Sequence, residues 1–251
     1  MDRPEVTLEN SDAVYDFYRD HRQNVLKSRL SYAILARRYR PRVGGAVGAA
    51  AAIRRALQAG QRLIVVANHL SEQDPYVVAA TAWRSRLRPA IGHARVLAKD
   101  ELFVDPRLRD KVEMMGGIPV FRGKDHGIRA VAAAGQQMMT ISAERMQRGD
   151  HLAIFPEGTC NDVDPTRVQS VGSGIGHIVV RARKLGVTPV LIPLGISYGP
   201  DNVAPTTRTA TENASCWLGH PVTELPPRPT EIARLVREVL QDAVDGAVKA
   251  A

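Results

Sequence analysis

The sequence contains few cysteines. Cys160 and Cys216 are the two cysteines among its 251 residues, which is too few for a disulfide framework. They form no CxxC pair, so they do not have the spacing of a zinc site. A reducing compartment, the cytoplasm, is therefore expected.

Long apolar runs are also missing. The longest weakly polar stretch, residues 43–53, has 11 residues that are mostly Gly and Ala, whereas a helix that spans a bilayer needs about 20. Residues 1–10 are acidic and lack the basic and apolar parts of a secretory signal. We expect neither a transmembrane helix nor a signal peptide.

Positive charge is abundant, and it is concentrated near the N-terminus. The chain has 34 Lys and Arg against 26 Asp and Glu, a net charge of +8. Residues 19–42 contribute eight cations and one acid, which is 8 − 1 = +7. The cations are Arg19, Arg22, Lys27, Arg29, Arg37, Arg38, Arg40 and Arg42, and the acid is Asp20.

An apolar stripe at helical spacing runs through this basic segment: Leu26, Leu30, Ala33 and Ile34. Three interpretations stay open on these residues alone. The helix packs on the domain with a solvated basic face, lies in an anionic lipid surface, or binds nucleic acid.

The rest of the chain alternates apolar runs with helical patterns. Strands are predicted at residues 62–67, 94–98, 118–121, 151–155 and 190–197. Helices are predicted at 46–59, 74–83, 128–147, 174–185 and 231–251, and in part of 100–115. This alternation predicts an α/β fold with a central mixed, largely parallel sheet flanked by helices, preceded by the basic amphipathic N-terminal helical segment.

His69 and Asp74 stand where a predicted strand gives way to a predicted helix. On a regular helix, side chains five residues apart point about 140° away from each other. In a loop, with Asp74 as N-cap and Pro75 after it, the imidazole can instead fold onto the carboxylate. Such a pair defines the His tautomer and leaves the other nitrogen free to take a proton. The plain alternative is a loop histidine beside a helix cap.

Two other predicted strands end in residues suited to ligand binding. Residues 116–122 end in Arg122, whose planar fork of donors fits a phosphate monoester, and residues 155–159 form a Phe-Pro-Glu-Gly-Thr turn. Ligands often bind at the strand ends of α/β sheets. The alternatives are a surface salt bridge at Arg122 and a simple turn at 156–158.

Together these segments resemble the glycerolipid acyltransferase family, PlsC-like, typified by 1-acylglycerol-3-phosphate acyltransferase, with glycerol-3-phosphate acyltransferase as a close relative. The family has an NHxxxxD box, a glycine-to-arginine block, an FPEGT block and a late apolar strand containing proline. The matching residues here are 68–74, 117–122, 155–159 and 190–196. The resemblance runs from about residue 63 to 197.

The resemblance implies transfer of a fatty acyl group from a thioester directly to an alcohol. His69 would be the general base, and Asp74 would orient it and stabilise the imidazolium. Arg122 would hold the acceptor phosphate. The other implied substrate-binding residues are Gly117, Glu157, Gly158 and Thr159. No metal or redox cofactor is implied.

The implied donor is acyl-CoA or acyl carrier protein, and the implied acceptor is lysophosphatidate, which gives phosphatidate. Glycerol-3-phosphate at its sn-1 hydroxyl, a glycolipid acceptor, hydrolysis, and a non-catalytic lipid-binding protein are the alternatives. With a lipid acceptor, an anionic membrane surface becomes the expected partner of residues 1–45, and nucleic acid becomes unlikely. Residues 46–251 would be the acyltransferase domain, on the inner face of the cell membrane.

One departure from the family pattern concerns chemistry. The FPEGT block commonly continues with arginine or serine, but Cys160 follows it here. A phosphate contact is therefore lost or supplied elsewhere. A thiol near His69 would also permit a covalent thioester intermediate, although a cysteine in such a place is more often a small packing residue.

Overall fold

A computed structural model describes residues 3–199 and 205–251, and a seven-stranded sheet forms its centre. The strands are β1 (Arg42–Gly45), β2 (Leu63–Ala67), β3 (Ala94–Lys99), β4 (Gly117–Val120), β5 (His151–Ile154), β6 (Val190–Ser197) and β7 (Ser215–Leu218). Their order is β1-β7-β6-β2-β5-β3-β4. All neighbouring strands pair in parallel except β6 and β7. The predicted fold class, a mixed and largely parallel sheet flanked by helices, is confirmed.

Helices cover both faces of the sheet. They are α1 (Ser11–Asp20), α2 (Val25–Tyr39), α3 (Ala49–Gln58), α4 (Asp74–Arg84), α5 (Pro106–Met114), α6 (Gly123–His126), α7 (Ala132–Gln147), α8 (Gly174–Lys184) and α9 (Pro229–Lys249). Short 3₁₀ turns occur at Arg88–Ala90, Asp100–Phe103 and Thr209–Thr211. No helix in the described ranges is long and apolar enough to cross a membrane.

The central strand β2 shows why this sequence forms a sheet buried on two sides. All five of its residues are buried, as expected for a continuous apolar run in a parallel sheet. Val65 and Ala67 belong to the apolar cluster that α2, α3 and α4 complete. Ile64 and Val66 belong to the cluster that α7, α8 and α9 complete. The loop that follows β2, which contains His69, therefore starts from a rigid strand.

The N-terminal helices pack on this domain. Helix α1 buries Val14, Tyr15 and Tyr18, and Tyr18 donates a hydrogen bond to Glu113 at 2.6 Å. Residues 42–45, placed in the N-terminal segment by the sequence, form the edge strand β1 of the same sheet. Neither α1, β1 nor β7 was predicted from the sequence.

Helix α2 buries one side of its predicted apolar stripe and exposes the other. Its buried residues are Ser28, Tyr32, Ala36 and Tyr39. Leu26, Leu30 and Ile34 of the stripe are 79%, 62% and 55% exposed. Helix α2 therefore packs on the domain with its basic residues in solvent, as the first interpretation expects, but it packs through Tyr32, Ala36 and Tyr39.

Candidate active site

The candidate site lies at the carboxyl end of β2, and Asn68 fastens this end to β6. The Asn68 amide donates to the carbonyl of Ile196 at 3.0 Å and accepts from its N–H at 2.7 Å. The side chain thereby continues the backbone pairing of the two strands beyond Ala67. The next residue, His69, starts from a fixed main-chain position.

His69 and Asp74 are in direct contact. His69 Nδ1 lies 2.9 Å from Asp74 Oδ2, and that oxygen also accepts from the N–H groups of Leu70 at 2.5 Å and Ser71 at 2.8 Å. Asp74 is 0% exposed. The prediction of Asp74 as an N-cap is wrong: helix α4 begins at Asp74, and Gln73 precedes it as the cap. The carboxylate instead binds the N–H groups of the loop, which hold it against the imidazole.

The surroundings of His69 favour its protonated form. The ring is 13% exposed and stacks on Phe155 with the ring centroids 4.3 Å apart. Burial lowers the pKa of His69, but the hydrogen bonds and charges of Asp74 and Cys160 outweigh burial and raise the pKa to about 9. If His69 takes a proton, these neighbours stabilise the imidazolium that results.

The other nitrogen of His69 faces Cys160. Sγ of Cys160 lies 3.5 Å from Nε2 of His69, so the ring links a carboxylate on one side with a thiol on the other. Cys160 is partly exposed. The position where this chain departs from the family pattern is therefore next to the atom that would take the proton of the acceptor.

Glu157 connects the FPEGT turn to the loop of His69. Its Oε1 accepts from the His69 N–H at 2.9 Å, and its Oε2 accepts from the Gln169 N–H at 2.8 Å. Burial raises the pKa of Glu157, and these hydrogen bonds oppose the rise. Gly158 has a φ of +72°, which favours glycine in this turn. The turn therefore positions the main chain of His69.

Arg122 lies two residues after the end of β4. Its Nε donates to Asp125 at 2.6 Å, and its side chain is 15% exposed. Lys124, which sequence reasoning missed, donates to the hydroxyl of Thr159 at 3.2 Å. Lys124 thus contacts the last residue of the turn, directly before Cys160, while Arg122 is paired with Asp125.

Gly117 does not join these residues. It begins β4, whereas Arg122 follows the carboxyl end of that strand. A Cβ on Gly117 would lie 2.3 Å from Val112 Cγ1 and 3.1 Å from Phe103. Gly117 therefore allows close packing at the amino end of β4, whereas Arg122 follows the carboxyl end of that strand.

An apolar cavity of about 60 Å³ lies on the α4 side of the sheet. Ala67, Pro75 and Phe155 line the end of the cavity near His69. Leu63 lines it at the other end of β2, about 13 Å away at 3.3 Å per residue. The apolar lining suits the carbons of a hydrocarbon chain.

Tyr198 is a further residue that sequence reasoning missed. Its hydroxyl donates to Asp74 Oδ1 at 2.5 Å. The two residues are 124 positions apart, and no local pattern connects them. Tyr198 directly follows β6, the late apolar strand that contains Pro193. Its position at the carboxyl end of a predicted strand is the sequence signal that could have located it.

The family profile described as Acyltransferase matches residues 51–197, more than half of the chain. The chain belongs to the acyltransferase family, which contains the PlsC-like enzymes, and acyl transfer is its general activity. No curated protein matches the chain.

Proposed function

We propose that this acyltransferase moves a fatty acyl group from acyl-CoA or acyl carrier protein to the hydroxyl of lysophosphatidate, giving phosphatidate for glycerophospholipid biosynthesis. The observation that carries the proposal is the His69–Asp74 pair, with Nε2 of His69 on the side away from the carboxylate and an apolar cavity ending at Phe155. The pair suits activation of an alcohol, and the apolar lining of the cavity suits the carbons of an acyl chain that lie near His69.

In this reaction His69 Nε2 takes the proton of the acceptor hydroxyl as its oxygen attacks the thioester carbonyl. Asp74, bound to Nδ1 at 2.9 Å, stabilises the imidazolium that results. When the tetrahedral intermediate collapses, the C–S bond breaks and the proton leaves with the thiol. His69 returns to its neutral form, and no covalent enzyme intermediate is required.

The acceptor phosphate would bind at Arg122 and Thr159, with Lys124 as an additional cation. The Nε atom of Arg122 is bonded to Asp125, while a guanidinium has four further N–H donors for a phosphate. Lys124 already contacts Thr159. It would supply the cation that the family pattern places directly after the FPEGT block.

The exposed face of α2 would attach the enzyme to an anionic membrane on the cytoplasmic side. Leu26, Leu30 and Ile34 form the exposed stripe, and α2 contains four basic residues and no acidic one. The apolar side chains would insert into the membrane surface, and each cation near the headgroups would add about 1 kcal/mol of attraction. Together these contributions would support peripheral binding. The acceptor and the product are lipids of the same surface.

A side-by-side acyl-transfer assay tests the acceptor. We expect lysophosphatidate to be acylated faster than glycerol-3-phosphate or a glycolipid, and we expect transfer to exceed hydrolysis with both acyl-CoA and acyl carrier protein as trial donors. His69→Ala should abolish transfer. His220→Ala, at an exposed position after β7 at the opposite edge of the sheet, is the matched control. Equal activity of His69→Ala and wild type would contradict the proposal.

Vesicle flotation tests the membrane surface. The triple substitution Leu26→Ser, Leu30→Ser, Ile34→Ser should abolish binding to vesicles that contain anionic lipid, with an unchanged melting curve. Val47→Ser is the control, because Val47 is an exposed apolar residue outside α2. Undiminished flotation of the triple variant would exclude this face.

Cys160→Ala separates direct transfer from a covalent route. Under direct transfer the variant should retain near-normal activity, because the thiol only contacts Nε2. Loss of transfer, together with an acylated Cys160 in the intact mass of the wild type, would show that the thiol accepts the acyl group first.

A further inference from the structure

We propose that Tyr198 is a positioning residue of the acyl-transfer reaction, which holds the Asp74 carboxylate in the orientation that His69 requires. The proposal rests on the proposed role of His69 as general base. Tyr198 donates to Asp74 Oδ1 at 2.5 Å, whereas His69 binds Oδ2. Tyr198 thus acts through Asp74.

The two oxygens of Asp74 have different partners. Oδ2 receives three donors, namely Nδ1–H of His69 and the N–H groups of Leu70 and Ser71. Oδ1 receives the Tyr198 hydroxyl. Because Asp74 is 0% exposed, water cannot replace that donor at the surface, and a buried carboxylate oxygen without a donor is costly. Loss of the phenol would leave Oδ1 without this donor, so the carboxylate would be held less firmly in its orientation and would bind the His69 proton more strongly.

The Tyr198 hydroxyl donates throughout the working pH range. Burial raises the pKa of Tyr198 well above its ordinary value, and the charge of Asp74 raises it further. The other titratable groups that act on this network are Cys216 and Tyr39 near Tyr198, and Glu157 and Cys160 beside His69. A neutral phenol can hold Asp74 without adding charge to the pair.

The location of Tyr198 depends on the register of β6. Asn68 binds both backbone groups of Ile196, two residues before Tyr198. On the other side of the strand, a Cβ at Gly195 would lie 2.0 Å from the carbonyl oxygen of Ala243 in α9, so α9 packs closely on the backbone. These contacts place Tyr198, at the end of β6, against Asp74. Tyr198 can therefore act on His69 through Asp74 without touching the reacting atoms.

Tyr198→Phe removes the donor and keeps the ring. We expect kcat to fall about tenfold, the typical effect of losing one hydrogen bond to a charged group, while KM for donor and acceptor stays the same. The acid limb of the kcat/KM profile should move to higher pH, because Asp74 then holds the imidazolium proton more strongly. 3-Fluorotyrosine at position 198, a stronger donor that preserves the fold, should move the limb to lower pH.

Tyr18→Phe is the matched control. Tyr18 also donates from a buried phenol to a carboxylate, that of Glu113, but away from the site. This variant should lower stability and leave kcat and the pH limb unchanged.

Two measurements separate positioning from general destabilisation. In an Asp74→Asn background, Tyr198→Phe should have almost no further effect on kcat, because residues that act as a unit are not additive. NMR titration of the His69 ring should show the same shifts without any substrate, so this readout stands even if the acceptor assignment fails. An additive double variant, or an unchanged His69 titration in Tyr198→Phe, would overturn the proposal.

Discussion

Replacing Asp74 with Asn measures how much of the basicity of His69 comes from its partner. Asn has nearly the same size, and its amide oxygen can accept the hydrogen bonds that Oδ2 receives from the loop. The substitution removes the negative charge from a position 2.9 Å from Nδ1 of His69. The fold of the loop should therefore survive while the electrostatic support is lost.

The magnitude follows from the pKa of His69. Asp74 is the larger of the two influences that raise this pKa from 6.5 to about 9 against the effect of burial. A shift of that size corresponds to about 3 kcal/mol of preference for the imidazolium. We therefore expect Asp74→Asn to lower kcat/KM on the order of 10²-fold at high pH, where wild-type His69 is neutral.

The sign of the pH dependence makes the prediction specific. A general base acts in its neutral form, so wild-type kcat/KM should rise with pH up to about 9, the pKa of His69. Without Asp74, burial should bring the pKa of His69 towards or below 6.5. The variant should then be nearly flat above that pH. The ratio of wild type to variant should consequently increase between pH 6.5 and pH 9.

Initial rates of acyl transfer across pH 5.5 to about 9.5 measure both profiles, a window that covers the ordinary and the raised pKa of His. Asp162→Asn, an exposed change in the loop after Cys160, is the control for removal of one negative charge. Two coincident acid limbs for wild type and Asp74→Asn would refute the assignment of His69 and Asp74 as a coupled base.

Two other predictions concern the cavity and its surroundings. Burial and the charge of Arg62 lower the pKa of His151 to about 4, so up to about 3 kcal/mol of unfolding free energy should be lost as pH falls from 6.5 towards 4. His151→Asn, which can still accept from the Leu63 N–H, should reduce that loss in denaturant unfolding at the two pH values. Ala153→Leu should fill the cavity about 7 Å from Phe155 and stop transfer of long acyl chains, while short acyl donors still react; unchanged chain preference would show that the acyl chain lies elsewhere.

Local sequence patterns determined most of the secondary structure and the central pair of the site. The buried run of β2, the helix that begins at Asp74, and the five-residue spacing of His69 and Asp74 all lie within one short segment. Side chains so near in sequence can meet through a single turn, and hydrophobic periodicity reports each element directly. The boundaries still differ from the predictions by up to four residues, as at α7, which begins at Ala132 and not at residue 128.

Tertiary structure alone decided which distant residues complete the site and which face of each helix is buried. Tyr198 and Cys160 lie 124 and 91 residues from their partners in the His69–Asp74 pair, so only the pairing of β2 with β6 and β5 brings them together. The short strands β1 and β7 carry little periodic signal, and they are stable because they pair with each other and with β6. Contact of α2 with α4 buried Tyr32 and Ala36 and left Leu26, Leu30 and Ile34 exposed, which the apolar spacing of the segment does not predict. Spacing along the chain predicts what is near in sequence, whereas burial and strand pairing depend on the whole fold.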